Sequence, residues 1–257
     1  MLMVRIIPCL DTHDGKVVKG IRFGNLRDAG SPVELAARYE EQGADEIVVL
    51  DISATLEARE NRLQTVRELR EVLSIPLTVG GGVRSLQHCE DLLNAGADKV
   101  SINSAAFRDP ELLSRVAERF GSQCTVVAID AVRTSSDKQG KALSWAVAID
   151  SGRSKMDLTA TEWACEAVNR GAGEILLTSW DKDGTRSGYD VDLIRAVATV
   201  VEVPIIASGG AARPSDFAKA YDAGASALLA ASIFHDGEYS VMNVKQSLSE
   251  AGIPVRL

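Results

Sequence analysis

Short apolar runs alternate with longer amphipathic segments along the whole chain. The runs have the length of buried strands, and the segments between them place apolar residues at helical spacing. The predicted strands are residues 4–10, 46–50, 76–79, 99–102, 125–129, 174–178, 203–207 and 227–231. The predicted helices are residues 32–42, 61–73, 86–94, 110–120, 159–170, 191–201, 214–222, with Ser215 as N-cap, and one within 240–250. This alternation predicts a parallel sheet covered by helices.

One stretch of sequence occurs twice. Residues 75–83 and 203–211 both run from a predicted strand into adjacent glycines, and an offset of 128 positions takes Gly82 to Gly210 and Ser104 to Ser232. An offset held over about sixty residues indicates an internal repeat of two halves. Eight strand–helix units of about 32 residues favour a closed (β/α)₈ TIM barrel built from two half-barrels, with an open doubly wound sheet as the alternative. We find no linker, so residues 1–257 are expected to form one domain.

Two predicted loops are longer than an ordinary connection between strand and helix. Residues 12–30 are polar and contain Lys16, Lys19, Arg22 and Arg27, which favours either a lid over an anionic ligand or a solvated β-ribbon. Residues 131–158 alternate apolar and polar positions over 143–149, which predicts a small hairpin.

Composition narrows the class of partner. The chain has 257 residues, 46% hydrophobic and 25% charged, with a net charge of −8, and contains no run of Lys and Arg. Nucleic acid is therefore not expected, and an anionic substrate must be held by backbone amides and a few cations. Four cysteines without C-x-x-C spacing indicate reduced thiols. No run approaches the length of a membrane span, and we expect a cytoplasmic protein.

Polar residues and glycines stand where the predicted strands end, which is the face that carries the active site in TIM barrels. They are Asp11, Asp51, Gly82, Asn103, Ser104, Asp130, Thr178, Ser208, Gly209, Gly210 and Ser232. Asp11 and Asp130 follow strands on opposite sides of the ring, so they are candidates for a general acid and base, or else turn aspartates. Asp181 and Asp183 lack the other ligands of a calcium loop, so no metal is expected.

The repeated glycines predict two phosphate sites. Gly82 with Asn103 and Ser104 would form the first cradle. The second cradle would consist of Gly209, Gly210, Ala231 and Ser232. Two facing cradles indicate a long substrate with a phosphate at each end, unless one site has decayed since duplication.

At this level of detail the chain resembles the cyclase subunit of imidazole glycerol phosphate synthase over essentially its whole length. The matching motifs are RIIPCLD at 5–11, VVKG at 17–20, NLRDAG at 25–30, VGGG at 79–82, DKVSIN at 98–103, GEILLTS at 173–179, DGT at 183–185, SGG at 208–210 and AAS at 230–232.

The resemblance implies an enzyme of histidine biosynthesis without a cofactor. With ammonia it would convert the phosphoribulosyl-formimino aminoimidazole carboxamide ribonucleotide (PRFAR) to imidazole glycerol phosphate and aminoimidazole carboxamide ribotide (AICAR). It implies Asp11 and Asp130 as the acid and base pair, Lys19 in a substrate-binding lid, and Asp183 and Gly184 among the substrate-binding residues.

The resemblance also implies a heterodimer with a glutaminase, docked at the N-terminal face of the barrel with Asp98 in the interface. Ammonia would pass a charged gate formed by Arg5, Glu46, Lys99 and Glu174, which could otherwise be ordinary charges at strand starts. The sister isomerase of the same pathway is an alternative that needs neither ammonia nor glutaminase, and these four residues argue against it. A catalytically silent phosphate-binding barrel is a second alternative, against which the two aspartates argue.

Overall fold

The computed structural model describes residues 3–21, 24–52, 56–134 and 143–257, and of residues 19–21, 24–29 and 56–61 it describes the backbone alone. In chain order the strands are β1 (Arg5–His13), β2 (Lys16–Ile21), β3 (Gly24–Gly30), β4 (Ile47–Asp51), β5 (Leu77–Gly80), β6 (Lys99–Ile102), β7 (Thr125–Arg133), β8 (Trp145–Ile149), β9 (Ser154–Thr159), β10 (Glu174–Ser179), β11 (Ile205–Ser208) and β12 (Ala227–Ala230). The helices are α1 (Pro32–Glu41), α2 (Leu56–Val72), α3 (Leu86–Ala95), α4 (Ser104–Arg108), α5 (Glu111–Phe120), α6 (Ala160–Asn169), α7 (Val191–Ala198), α8 (Pro214–Asp222), α9 (Ser232–His235) and α10 (Val241–Glu250).

Within the described residues, eight parallel strands form a closed barrel. The ring runs β1, β4, β5, β6, β7, β10, β11 and β12, and β12 pairs with β1 to close it. After each barrel strand, the chain forms at least one helix on the outside of the barrel before the next barrel strand, as the alternation of apolar runs and amphipathic segments predicts. The predicted TIM barrel is confirmed and the open sheet is wrong.

The barrel strands are predominantly apolar because both of their faces are buried. In β1, Ile6 and Leu10 pack outward against the helices, while Ile7 and Cys9 point into the barrel. The interior cluster continues with side chains from other strands, namely Val48, Val126, Leu176, Ile206, Ala227 and Leu229. These side chains fill the middle of the barrel.

Side-chain caps fix the starts of several helices. The N-caps Ser31, Ser85, Thr159, Asp190 and Ser240 each accept a hydrogen bond from a backbone N–H three residues on. The prediction of Ser215 as an N-cap is wrong: Pro214 is the first helical residue of α8 and Arg213 is the N-cap. Proline suits this first position because its missing N–H would have no helical partner there.

Two antiparallel excursions leave the barrel at the carboxyl ends of its strands. β2 and β3 form an antiparallel ribbon attached to the end of β1, so the described backbone of residues 12–21 and 24–30 forms a β-ribbon; Arg22 lies outside the described residues. β8 and β9 extend β7 as an antiparallel hairpin; the residues 143–149 that predict a hairpin contain its first strand, β8, and the second strand, β9, lies beyond them. Both excursions stand beside the same end of the barrel.

The two halves also match in detail. The short helix α4 begins at Ser104 and the short helix α9 begins at Ser232, at the offset of the sequence repeat. Sequence periodicity did not predict these one-turn helices, because four or five residues are too few to show an apolar face.

Candidate active site

The carboxyl ends of the eight barrel strands of the described chain surround a cavity of about 520 Å³. Every predicted strand-end and cradle residue lines it, as do Asp183 and Gly184: Asp11, Asp51, Gly82, Asn103, Ser104, Asp130, Thr178, Asp183, Gly184, Ser208, Gly209, Gly210, Ala231 and Ser232. Lys19 lies in β2, but its side chain is outside the described residues. One cavity thus brings together residues from all parts of the chain.

Asp11 lies in β1, where its side chain enters the cavity beside Cys9. The Cys9 Sγ donates a hydrogen bond to Asp11 Oδ1 at 3.5 Å. The pKa of Asp11 is raised to about 7, mainly by burial and to a smaller extent by the negative charge of Asp183. The same burial and the Asp11 charge raise the pKa of the Cys9 thiol well above its ordinary range, so Cys9 is present as the thiol.

Asp130 occupies the matching place on the other side of the barrel. It lies in β7, which three strands separate from β1 in either direction around the ring. The Asn103 amide donates a hydrogen bond to Asp130 Oδ2 at 3.0 Å. Burial raises the pKa of Asp130 to about 6 against the opposing effect of this bond, and Asp183 adds to the rise. Two carboxyl groups that titrate near neutrality therefore face one cavity.

Gly81, next to Gly82 of the first cradle, and Gly209 of the second cradle occupy equivalent positions of the repeat that no other residue fits. Gly81 has φ +87°, and a Cβ there would lie 1.9 Å from the carbonyl oxygen of Asp51. Gly209 has φ +94°, and a Cβ there would lie 2.9 Å from the carbonyl oxygen of Ser179, the residue that corresponds to Asp51 in the repeat. The two cradles are therefore built alike, by close backbone approach at the ends of β5 and β11. Such uncovered backbone suits an anion.

Arginines that sequence reasoning missed line the same cavity. They are Arg84, Arg108, Arg153 and Arg186 among the described residues. Arg108 pairs with Asp150 at 2.5 Å, and Arg186 pairs with Glu238. No motif marks them, because each stands in a loop or at a helix end and reaches the cavity only through the fold.

The predicted gate residues meet at the opposite end of the barrel. Arg5 pairs with Glu46 at 2.5 Å and with Glu174, and Lys99 pairs with the same two carboxylates at 2.9 and 2.8 Å. We call these four residues the charged ring. Burial alone would lower the pKa of Arg5, but the two glutamates outweigh it and raise that pKa. The Thr78 hydroxyl also donates to Glu46 at 2.6 Å, so the ring is fixed from several strands.

Asp98 lies next to this ring at the start of β6. Its Oδ2 accepts hydrogen bonds from Arg70 at 2.9 Å and from the backbone N–H of Leu77 at 2.8 Å. About half of the side chain stays exposed, so a partner could still reach it.

Neither a metal centre nor a membrane span is found in the part of the chain that the structure describes. No group of three His, Cys, Asp or Glu side chains there could hold a metal ion. None of its helices has the length and apolar character to cross a bilayer.

Comparison with known proteins agrees with the geometry. The sequence model of the histidine biosynthesis protein family matches residues 5–240. The chain is 55% identical over 258 residues to the imidazole glycerol phosphate synthase subunit HisF of Dehalococcoides mccartyi, with 100% of this chain and 99% of the relative covered. It is 52% identical over 256 residues to the subunit HisF of Endomicrobium trichonymphae, with 100% of this chain and 96% of the relative covered.

Proposed function

The chain belongs to the HisF family of imidazole glycerol phosphate synthase subunits, and we propose that Asp11 and Asp130 perform its reaction as a general acid and base pair. The chain is an enzyme of histidine biosynthesis: with ammonia it converts PRFAR to imidazole glycerol phosphate and AICAR. The sister isomerase is not favoured, because the relatives at 52–55% identity are named HisF.

The observation that carries the proposal is the position of the two carboxyl groups. Asp11 and Asp130 lie near the carboxyl ends of opposite strands and face one cavity, with pKa values of about 7 and about 6. Closing an imidazole ring from ammonia requires the attacking nitrogen to lose protons and the departing oxygen and amine to gain them. Groups that titrate near neutral pH can supply and remove those protons on either side of a bound substrate.

The two cradles support a substrate with a phosphate at each end. Gly82 with Ser104 and Gly210 with Ser232 line opposite parts of the cavity, at the ends of strands related by the internal repeat. A bisphosphorylated chain held at both ends would place its middle between Asp11 and Asp130.

The relatives are named as a subunit, so a partner subunit completes the synthase. We propose that this partner is a glutaminase docked on the face that carries the charged ring, with Asp98 in the interface. Its ammonia would pass the ring and travel along the barrel axis to the cavity. The position of the ring at the end of the barrel away from Asp11 and Asp130 supports this path.

Turnover of PRFAR with ammonium salt by purified Asp130→Asn tests the catalytic role. We expect the rate to fall by at least about a thousandfold while substrate binding is retained, because the asparagine keeps the shape but cannot exchange the proton. Asp157→Asn, an exposed change in β9, is the matched control and should keep its activity. Loss of binding together with turnover would make Asp130 a structural residue instead.

A further inference from the structure

We propose that Arg108 is a further substrate-binding residue, which holds one phosphate of the substrate at the first cradle in exchange for the carboxylate of Asp150. Nothing in the motifs assigns this arginine a role. The inference deepens the proposed function and rests on it, since it takes the bisphosphorylated substrate as the ligand.

Asp150 contacts both Arg108 and the first cradle. Arg108 ends α4, four residues after Ser104, so both side chains lie on one side of that short helix. The Arg108 guanidinium contacts Asp150 Oδ2 at 2.5 Å, and the backbone N–H of Asp150 donates to Ser104 Oγ at 3.0 Å. Arg108, Asp150 and Ser104 all line the cavity, together with Gly82. The turn between β8 and β9 therefore contacts the cradle through its backbone and brings the carboxylate of Asp150 to Arg108.

A phosphate at the cradle would compete with this carboxylate. Arg108 and Asp150 are 56% and 39% exposed, and an ion pair so open to water adds little to stability. A phosphate has more charge and more acceptor oxygens than a carboxylate and matches the guanidinium fork. It would also repel Asp150 at this distance. Substrate binding should thus move Asp150 away and leave Arg108 on the phosphate.

The competition makes opposite predictions for the two partners. Arg108→Gln removes the cation and should weaken substrate binding. Asp150→Asn removes the competitor and should strengthen it. Asparagine keeps the backbone N–H to Ser104 and tolerates the left-handed φ of 55° at this position. A pair that is only structural would give weaker binding in both variants.

The test measures the Kd of PRFAR by calorimetry without ammonia, and KM and kcat with saturating ammonium salt. The variants are Arg108→Gln, Asp150→Asn and the double variant. Arg115→Gln and Asp157→Asn are matched controls, because Arg115 pairs with Asp109 and neither control residue lines the cavity.

We expect Arg108→Gln to raise Kd and KM about tenfold with kcat nearly unchanged, and Asp150→Asn to lower Kd about threefold. In the double variant, Asp150→Asn should no longer lower Kd, because without Arg108 there is no cation for which Asp150 and the phosphate compete. An unchanged Kd in Arg108→Gln, weaker binding in Asp150→Asn, or an Asp150 effect that persists without Arg108 would overturn the inference. Failure of the acid and base assignment shows separately, as full turnover in Asp130→Asn.

Discussion

At the scale of single residues, the two catalytic candidates show how burial changes a carboxyl group. Asp11 and Asp130 are ordinary aspartates in the sequence, yet their pKa values lie near 7 and 6. Asp183 faces the same cavity and raises both, because its negative charge opposes ionisation of its neighbours. Burying several carboxyl groups around one cavity lowers the stability of the folded state, while it gives these groups pKa values that suit proton transfer.

Asp11→Asn should therefore stabilise the fold at high pH. The folded pKa of about 7 lies above the ordinary 3.8, so as pH rises from about 4 the unfolded state loses a proton that the folded state keeps, and stability falls until pH passes about 7. Asparagine removes this cost, and we expect a gain of about 1–3 kcal/mol near pH 8 that shrinks toward pH 4.

Urea unfolding of both proteins at several pH values measures this difference. Asp157→Asn serves as the control: because Asp157 is exposed, the stability of this variant should stay close to that of the wild type at every pH. A gain that does not depend on pH would contradict the burial argument.

At the scale of elements, one buried carboxylate ties the β8–β9 hairpin to the barrel. Asp190, the N-cap of α7, accepts hydrogen bonds from Arg133 in β7 at 3.0 Å, Trp145 in β8 at 3.1 Å and Ser179 in β10 at 3.2 Å. Arg133 also lies over the Trp145 ring, 5.2 Å from its centre. This junction holds the base of the hairpin whose turn carries Asp150.

Asp190→Asn should lower the free energy of unfolding by about 2–4 kcal/mol, because Arg133 keeps its charge and loses its buried partner. Trp145 fluorescence should change as well. Asp192→Asn is the matched control on the same helix: its carboxylate is half exposed and 3.6 Å from Arg133, so its loss should cost about 0.5 kcal/mol or less. Equal losses in the two variants would show that Asp190 is not the hub of this junction.

At the scale of the whole molecule, the two ends of the barrel carry different chemistry. One end holds the cavity with Asp11 and Asp130, and the other holds the charged ring. Lys99 and Arg5 each bridge Glu46 and Glu174, so removing either cation leaves both carboxylates with fewer partners.

Lys99→Met should lower glutamine-driven turnover, measured with the glutaminase partner, several-fold more than ammonium-driven turnover. Ammonium salt supplies ammonia to the cavity directly, whereas glutamine-derived ammonia would have to pass the altered ring. Lys219→Met, on the exposed side of α8, should change neither rate. Equal losses in the two assays would contradict the gate.

The barrel and most of the cavity lining can be predicted from the amino-acid sequence. A repeat and an alternation of elements are periodic signals, and parallel strands bring their carboxyl ends to one face, so Asp11, Gly82, Asp130 and Gly210 could be placed together without coordinates. The residues of the charged ring follow from the family resemblance. The gating role of this ring and the catalytic role of Asp11 and Asp130 stay proposals.

Contacts between residues that are far apart in the chain depend on how the elements pack in three dimensions. The pairing of Arg108 with Asp150, the hub at Asp190 and the bond from Asn103 to Asp130 each join different elements, and no local pattern encodes them. The raised pKa values belong here too, because burial depends on every element that packs around a group. Local sequence therefore sets where a residue stands along its strand or helix, and packing decides which neighbours it meets.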